Sequence, residues 1–241
     1  MLRLAPTALL VFLLAACTSP PRLLPATDNF VALDLARPLA GSLVVLLPPQ
    51  GEDRDLLKGE AQLTDALNRT LVANGYRVAI LEVGNYAVIW DQEVEAVGGI
   101  YDQSTGKPRT EAYSTALAQL ARRVCQELKC SLLIRHRLVG RMATLDKRVA
   151  RWDGQERMIQ LKSTAGSTWE FSGSQPALSV ELLGLTAAGQ LAFLTFGGAS
   201  LPFAADIVGA KSVLRTDLFR DPTEVLEGVA IALKPVLAKL Q

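Results

Sequence analysis

Residues 43–83 constrain the fold most, because they predict a strand, a helix and a second strand in direct succession. Five apolar residues, Leu43–Leu47, run into Pro48-Pro49, which is typical of a buried strand that ends in a turn. Apolar residues then recur at helical spacing as far as Gly75, a favoured helix stop, and the run 76–83 predicts the next strand. A β-α-β unit usually joins neighbouring parallel strands, so an α/β fold is expected.

Two further helices are predicted before residue 131. The first covers residues 85–99, and its apolar residues are Val88, Trp90, Val94 and Val97. The second begins after Thr110, a plausible N-cap, and is the clearest helix in the chain. Its apolar stripe consists of Tyr113, Leu117, Leu120, Ala121, Val124 and Leu128.

The second half of the chain predicts β-hairpins. From residue 131 the apolar period changes to two, as in the run SLLIRHRLV. Asp153-Gly154 is a strong short-range hairpin turn, and a second hairpin turns near Ala188-Gly189.

A closing helix is predicted at the end of the chain. Asp221 is its N-cap, Pro222 its first residue and Glu224 its third, and Pro235 should bend it. The expected class is therefore α/β with an α+β tendency. A mixed β-sheet carries packed helices, with a β-α-β start, a hairpin-rich second half and a C-terminal helix.

The first residues predict export. Arg3 precedes an apolar run, residues 8–15, that is shorter than the about 20 residues that span a bilayer, as in a secretory signal peptide. Leu14-Ala15-Ala16-Cys17 resembles the bacterial lipobox, which implies cleavage before Cys17 and its acylation. Thr18 is similar to the residue that follows the cysteine in outer-membrane lipoproteins of Gram-negative bacteria. An ordinary signal peptide with an incidental cysteine is the alternative.

Three segments follow from this reading. Residues 1–16 are the signal peptide, residues 17–41 the lipidated Cys17 and a proline-rich tether, and residues 42–241 a single periplasmic domain. The expected location is the periplasmic face of the outer membrane, with the membrane contacted through the lipid. The sequence leaves the oligomeric state open.

Cys125 and Cys130 remain once Cys17 is assigned to lipid. An even number of cysteines in an oxidising compartment suggests a disulfide. In a continuous helix the Cα atoms of residues i and i+5 lie about 8 Å apart, beyond bridging range. A bond therefore requires the helix to end between Cys125 and Cys130; two buried thiols are the alternative.

Composition and motifs argue against several kinds of ligand. After residue 16 the chain has 24 basic and 24 acidic residues, without the basic excess of a nucleic-acid binder. The loop 98–109 lacks the Walker A spacing, and no cofactor is expected. It is predicted to be an exposed loop that contacts a partner through Tyr101, Asp102, Lys107 and Arg109.

His136 is the only histidine, and it should share a strand face with Ile134 and Leu138. A core role is therefore predicted, with no catalytic residue and no metal site. Arginines cluster in the same stretch and predict either an anionic contact or, preferably, a solvated sheet face offset by Asp146, Asp153 and Glu156. The five arginines are Arg135, Arg137, Arg141, Arg148 and Arg151.

The segments SLVVLLPPQ and LTDALNRTLVANGYRVAILEVGNY resemble the opening of a group of envelope domains. The group includes the curli-secretion lipoprotein and the N-terminal domain of the Tol β-propeller protein. LKCSLLIRHRLVG and VELLGLTAAGQLAFLTFGG are similar to later strands of that group. The resemblance implies a mixed sheet with helices and a role in envelope assembly or transport, without catalytic residues.

The sequence thus predicts a non-enzymatic outer-membrane lipoprotein that binds an envelope protein during assembly or export. The alternative is a cell-wall or glycan ligand-binding protein or hydrolase, with the loop 98–109 over a cleft. That alternative requires a pocket with convergent polar groups or carboxylates of perturbed pKa.

Overall fold

The structure is a computed structural model and describes residues 28–33, 41–49, 56–162, 170–206, 208–209 and 211–239. Cys17, the predicted signal peptide and most of the predicted tether lie outside these residues. The helices are α1 (Leu57–Ala73), α2 (Val83–Ala96), α3 (Thr110–Leu128) and α4 (Thr223–Lys239). The strands are β1 (Phe30–Val31), β2 (Leu43–Leu46), β3 (Arg77–Ile80), β4 (Leu132–Lys147), β5 (Val149–Trp152), β6 (Gln155–Met158), β7 (Phe171–Thr186), β8 (Leu191–Ser200), β9 (Phe203–Asp206) and β10 (Lys211–Leu214).

One mixed sheet organises the chain, with strands in the order β1-β8-β7-β4-β2-β3. Strand β2 is parallel to both β3 and β4, whereas β4, β7, β8 and β1 pair antiparallel. The hairpin β5–β6 continues from β4, and β9–β10 form a small separate sheet. The predicted β-α-β start, mixed sheet and C-terminal helix are confirmed.

Helices cover both faces of the sheet. Helices α1 and α4 pack on the face that carries Ile134 and Leu182, in the largest apolar core. Helix α3, with α2 outside it, covers the face that carries Leu133 and Leu185. A third cluster of apolar residues lies around Trp152, at the far end of the sheet.

Strands β4 and β7 form a ribbon of 16 residue pairs in continuous register, from Leu132 opposite Thr186 to Lys147 opposite Phe171. Pro176 lies inside the second of these strands. Strand β8 pairs with β7 only from Leu178 onward, so the missing N–H of Pro176 removes no ladder bond on that edge. Long-range pairing has therefore overridden local propensity.

Residues 28–33 lie in the segment 17–41 that was predicted as tether, and two of them, Phe30 and Val31, form a strand of the sheet. Strand β1 pairs with β8 through Phe30 and Val31. Asn29 Oδ1 accepts a hydrogen bond of 2.8 Å from the N–H of Phe196, and Asp28 lies 2.9 Å from Arg141. These contacts extend the folded domain back to Asp28.

Helix α4 packs very closely on β8, because glycine is present on both sides of the contact. A Cβ atom on Gly197 would lie 2.0 Å from the carbonyl oxygen of Gly228. The helix begins at Thr223, one residue later than predicted, and the Asp221 carboxylate accepts a hydrogen bond of 2.9 Å from the N–H of Thr223. Pro235 lies inside the helix.

Within the described residues, no helix combines the length and apolar character needed to cross a membrane.

Candidate binding surface

Helix α2 is covered on only a small part of its surface. Ile89 is its one buried residue, and the side chains of Val83 and Val88 are 67% and 57% exposed. Helix α2 packs mainly against α3, with which it forms an antiparallel hairpin. Val88, one of the apolar residues on which this helix was predicted, thus faces solvent, and its neighbour Ile89 faces inward.

A groove opens between α2 and α3 at the end where the carboxyl end of β3 meets the hairpin. It encloses about 320 Å³. Its lining residues are Leu81, Asn85, Val88, Ile89, Val124, Glu127 and Leu128, a set here called the α2–α3 groove. In its wall Leu128 is 42% exposed. The groove is therefore mostly apolar and open to solvent.

Side-chain contacts between the two helices support the groove. On α2 the Trp90 ring stacks on Tyr86 with centroids 6.2 Å apart, and it meets Tyr113 of α3 edge to face at 5.6 Å. Arg123 on α3 donates to Gln92 on α2 at 2.6 Å and lies 3.3 Å from the carboxylate of Glu127. The hairpin thus has both apolar and polar cross-links.

A disulfide joins Cys125 to Cys130 beside the groove. Helix α3 ends at Leu128, and Lys129 adopts a left-handed conformation with φ of 56°. This ending brings the two Cα atoms to 4.4 Å, as the sequence argument required. Glu127 and Leu128 lie inside the loop that the disulfide closes, so one wall of the groove is covalently fastened.

The loop 98–109 is a compact turn between α2 and α3. Asp102 Oδ1 accepts hydrogen bonds from Ser104 and Thr105, which lower the pKa of the carboxyl to about 2. Arg109 donates to the carbonyl oxygens of Gly98 and Gly99, each at 2.7 Å.

Two of the four predicted contact residues in this loop therefore hold the loop itself, namely Asp102 and Arg109. Tyr101, which is 59% exposed, and Lys107, which is exposed, remain displayed toward solvent. The loop lies at the closed end of the α2–α3 hairpin, away from the groove at the open end.

Arg135 and Arg137 converge on Glu181 from the neighbouring strand. Arg135 Nη2 lies 2.7 Å and Arg137 Nε 2.8 Å from Glu181 Oε1, and Arg135 also donates to Tyr113. Burial acts to raise the pKa of the Glu181 carboxyl, but the hydrogen bonds and charges of the two arginines outweigh it and lower that pKa. The pairing of these arginines with Glu181 was not predicted.

The other arginines pair largely as the solvated-face interpretation predicted. Arg141 bonds Asp153 at 2.8 Å, and its guanidinium lies 4.5 Å from the centre of the Phe196 ring. Arg151 pairs with Asp146 and Glu156 at 3.1 and 2.8 Å. Within the described part of the chain Arg148 forms no ion pair.

His136 lies in the core among apolar residues, on the face predicted for it. Thr64 donates its hydroxyl hydrogen to the carbonyl of Glu60 at 3.0 Å, so His136 Nε2 donates to Thr64 Oγ1 at 2.7 Å. Nδ1 is then the lone-pair nitrogen, and no described group donates to it. Burial lowers the pKa of His136 to about 4.

A polar cavity of about 250 Å³ lies between β6 and the start of α4. Buried Arg215 binds Glu224 at 3.2 Å and Asp217 at 3.0 Å, and Arg157 binds Glu227 at 2.7 Å. Because these charges neutralise one another inside the cavity, their arrangement is that of a structural network. No group of three or more histidine, cysteine, aspartate or glutamate residues that could hold a metal ion occurs among the described residues.

Comparison with known proteins gives only weak similarity. No protein-family model and no curated protein matches the sequence. A structure of the PelC dodecamer from Paraburkholderia phytofirmans is similar at 12% identity and a TM-score of 0.39, covering 86% of this chain and 94% of that chain. A leucine-to-methionine variant of that dodecamer gives 12% identity and a TM-score of 0.37, with coverage of 88% and 96%. At this level of similarity the two folds are not shown to be the same.

Proposed function

We propose that the chain is a non-enzymatic lipoprotein, anchored at the periplasmic face of the outer membrane, that binds another envelope protein in assembly or export. The α2–α3 groove is the proposed binding surface. The observation that carries the proposal is the uncovered apolar surface of α2, where Val83 and Val88 are more than half exposed.

The anchor is supported by the sequence before the domain. The apolar run and the lipobox end on Cys17, and prolines follow at residues 20, 21 and 25. The Cys125–Cys130 disulfide is compatible with an oxidising compartment such as the periplasm.

The groove is a better candidate contact than the other features of the described surface. Arg135 and Arg137 are already paired with Glu181 of the same chain. Arg215 is likewise paired with Glu224. The groove instead leaves apolar side chains in water, at a free-energy cost of about 25 cal/mol per Å² that a partner would remove. Contiguous exposed apolar surface of this kind marks interaction sites.

Site-specific photo-crosslinking in cells tests the contact. A photoreactive residue at Val88 of the full chain should give a discrete adduct with another envelope protein. Val72 on α1 is the matched control, since it is 54% exposed on a helix of the opposite sheet face. Adducts at both positions, or at neither while a known envelope complex is captured in the same cells, would exclude the groove as the contact.

The anchor needs a separate experiment. Cys17→Ala should give unprocessed or soluble protein, because the acylated residue is lost. Protein that still fractionates with membranes after a carbonate wash would contradict the lipobox interpretation.

A further inference from the structure

Helix α2, which forms one wall of the α2–α3 groove, carries charged side chains of one sign only. Helix α2 contains Asp91, Glu93 and Glu95 and no basic residue. Glu82 precedes the helix, and Glu127 lines the groove from α3. The whole predicted mature chain has a formal charge of zero, so this acidic rim is a local feature.

Three of these five acidic residues have no ion-pair partner in the part of the chain that the structure describes. Arg123 pairs with Glu93 at 3.5 Å and with Glu127 at 3.3 Å. Asp91 and Glu95 are exposed and form no ion pair within the described residues. The carboxylate of Glu82, also exposed, accepts a hydrogen bond of 3.4 Å from the side chain of Asn85. Lys129, a further basic residue, directly follows Leu128 in the chain.

The acidic rim disfavours two possible occupants. A second copy docked groove to groove would bring the two sets of carboxylates together, and like charges across an interface cost free energy. A bilayer with anionic lipids would repel the rim for the same reason. The charge instead favours a partner segment with basic side chains.

The walls of the groove also favour one backbone conformation in that segment. Side chains of α2 and α3, together with Leu81, form the lining, which presents no row of free N–H and C=O groups such as a strand edge offers. An extended segment would leave its own backbone groups unpaired there, whereas a helix satisfies them internally. Apolar side chains one turn apart on a helix match a groove between two helices.

We infer that the occupant of the α2–α3 groove is an amphipathic helix of another protein, with aliphatic side chains that face Val88, Ile89 and Leu128 and basic side chains that face Asp91 and Glu95. This inference rests on the proposed function and adds the chemistry of the partner to it.

Two synthetic amphipathic peptides that share one leucine pattern provide the probe, with lysine on the polar face of one and glutamate on the other. Fluorescence anisotropy with the purified chain should show binding of the lysine peptide and no binding of the glutamate peptide. Val88→Gln should abolish the binding, and Val72→Gln should leave it unchanged. The double variant Asp91→Lys, Glu95→Lys should weaken the binding of the lysine peptide about tenfold. The affinity of this variant should also depend less on salt concentration than that of the wild type.

The Val88 adduct formed in cells provides the second measurement. Mass spectrometry should place the crosslink in a partner peptide with apolar residues three and four apart and a net positive charge. An adduct to a second copy of this chain, to lipid, or to an acidic or extended partner peptide would overturn the inference while leaving the groove a contact surface. Absence of any adduct at Val88 would instead count against the proposed function.

Discussion

The carboxylate of Glu60 accepts a hydrogen bond of 2.7 Å from the backbone N–H of Leu138, 78 residues away. Strand β2 pairs with β4 only at residues 132–134, and β5 pairs with it only at residues 144–146. Glu60, on α1, therefore satisfies a backbone donor on a strand edge that no strand covers. The contact fastens α1 to the sheet at the cost of a buried carboxyl.

Replacement of Glu60 should reveal both effects. Burial raises the pKa of Glu60 above 4.5, so the folded chain holds this proton more tightly than the unfolded chain. Stability is then lost as pH rises through the raised pKa, and Glu60→Gln should lack this loss. Glu60→Leu also removes the acceptor and should be about 1–3 kcal/mol less stable than Glu60→Gln. Urea unfolding across pH measures both; parallel pH profiles for the wild type and Glu60→Gln would contradict the first expectation.

His136 should give the opposite dependence on pH. Its pKa of about 4 lies below the ordinary value of 6.5, so between these values the unfolded chain binds a proton that the folded chain excludes. Stability should therefore fall as pH is lowered through this window, by up to about 3 kcal/mol. His136→Gln keeps a donor toward Thr64 and should flatten that part of the profile. An unchanged slope in this variant would show that other groups cause the acid sensitivity.

Loss of the disulfide should loosen the groove. The bond closes a short loop, for which chain entropy predicts about 2 kcal/mol of stabilisation. In the double variant Cys125→Ala, Cys130→Ala, amide hydrogen exchange should accelerate at residues 124–130 and stay unchanged in α1. The photo-crosslink from Val88 should weaken, because Leu128 is no longer held. Equal exchange rates at residues 124–130 with and without the bond would refute this role.

Close packing of α4 on β8 predicts a sharp difference between two glycines. Gly197→Ala places a Cβ atom 2.0 Å from the Gly228 carbonyl oxygen, so α4 must shift, at a cost of about 1–3 kcal/mol or more. Gly84→Ala on α2 has no atom within 4 Å of the new Cβ and should be neutral or stabilising by up to about 1 kcal/mol. Thermal unfolding of the two variants compares them directly, and equal shifts in Tm would exclude the packing argument.

Local patterns in the sequence predict much of this architecture. The alternation in IRHRL places His136 with Ile134 and Leu138, and the structure puts these three residues in the core beneath α1 and α4. The turn at Asp153-Gly154 joins β5 to β6, with positive φ at both residues, as a two-residue hairpin requires. These features depend only on neighbours in the chain, so the sequence carries them directly.

Features that depend on distant pairing could not be predicted in this way. Glu60 and Glu181 find their partners on β4 only through the docking of α1 and the register of β7. The surface of α2 was also hidden, because apolar residues occur on several of its sides and periodicity does not select which one is buried. The candidate groove follows from Ile89 taking the inner position and Val88 the outer one.

The order of the strands also sets the distance between the β1 edge of the sheet, which follows the predicted tether, and the groove. Strand β1 and strand β3 lie at opposite edges of the sheet, five inter-strand spacings or about 24 Å apart. The residues from Cys17 to Asp28 can span at most about 40 Å when fully extended. With Cys17 lipidated as proposed, the tether connects the bilayer to the β1 edge of the domain. The groove beside β3 then lies at the opposite edge of the sheet. A helix from the periplasm could then reach the groove without displacing the anchor.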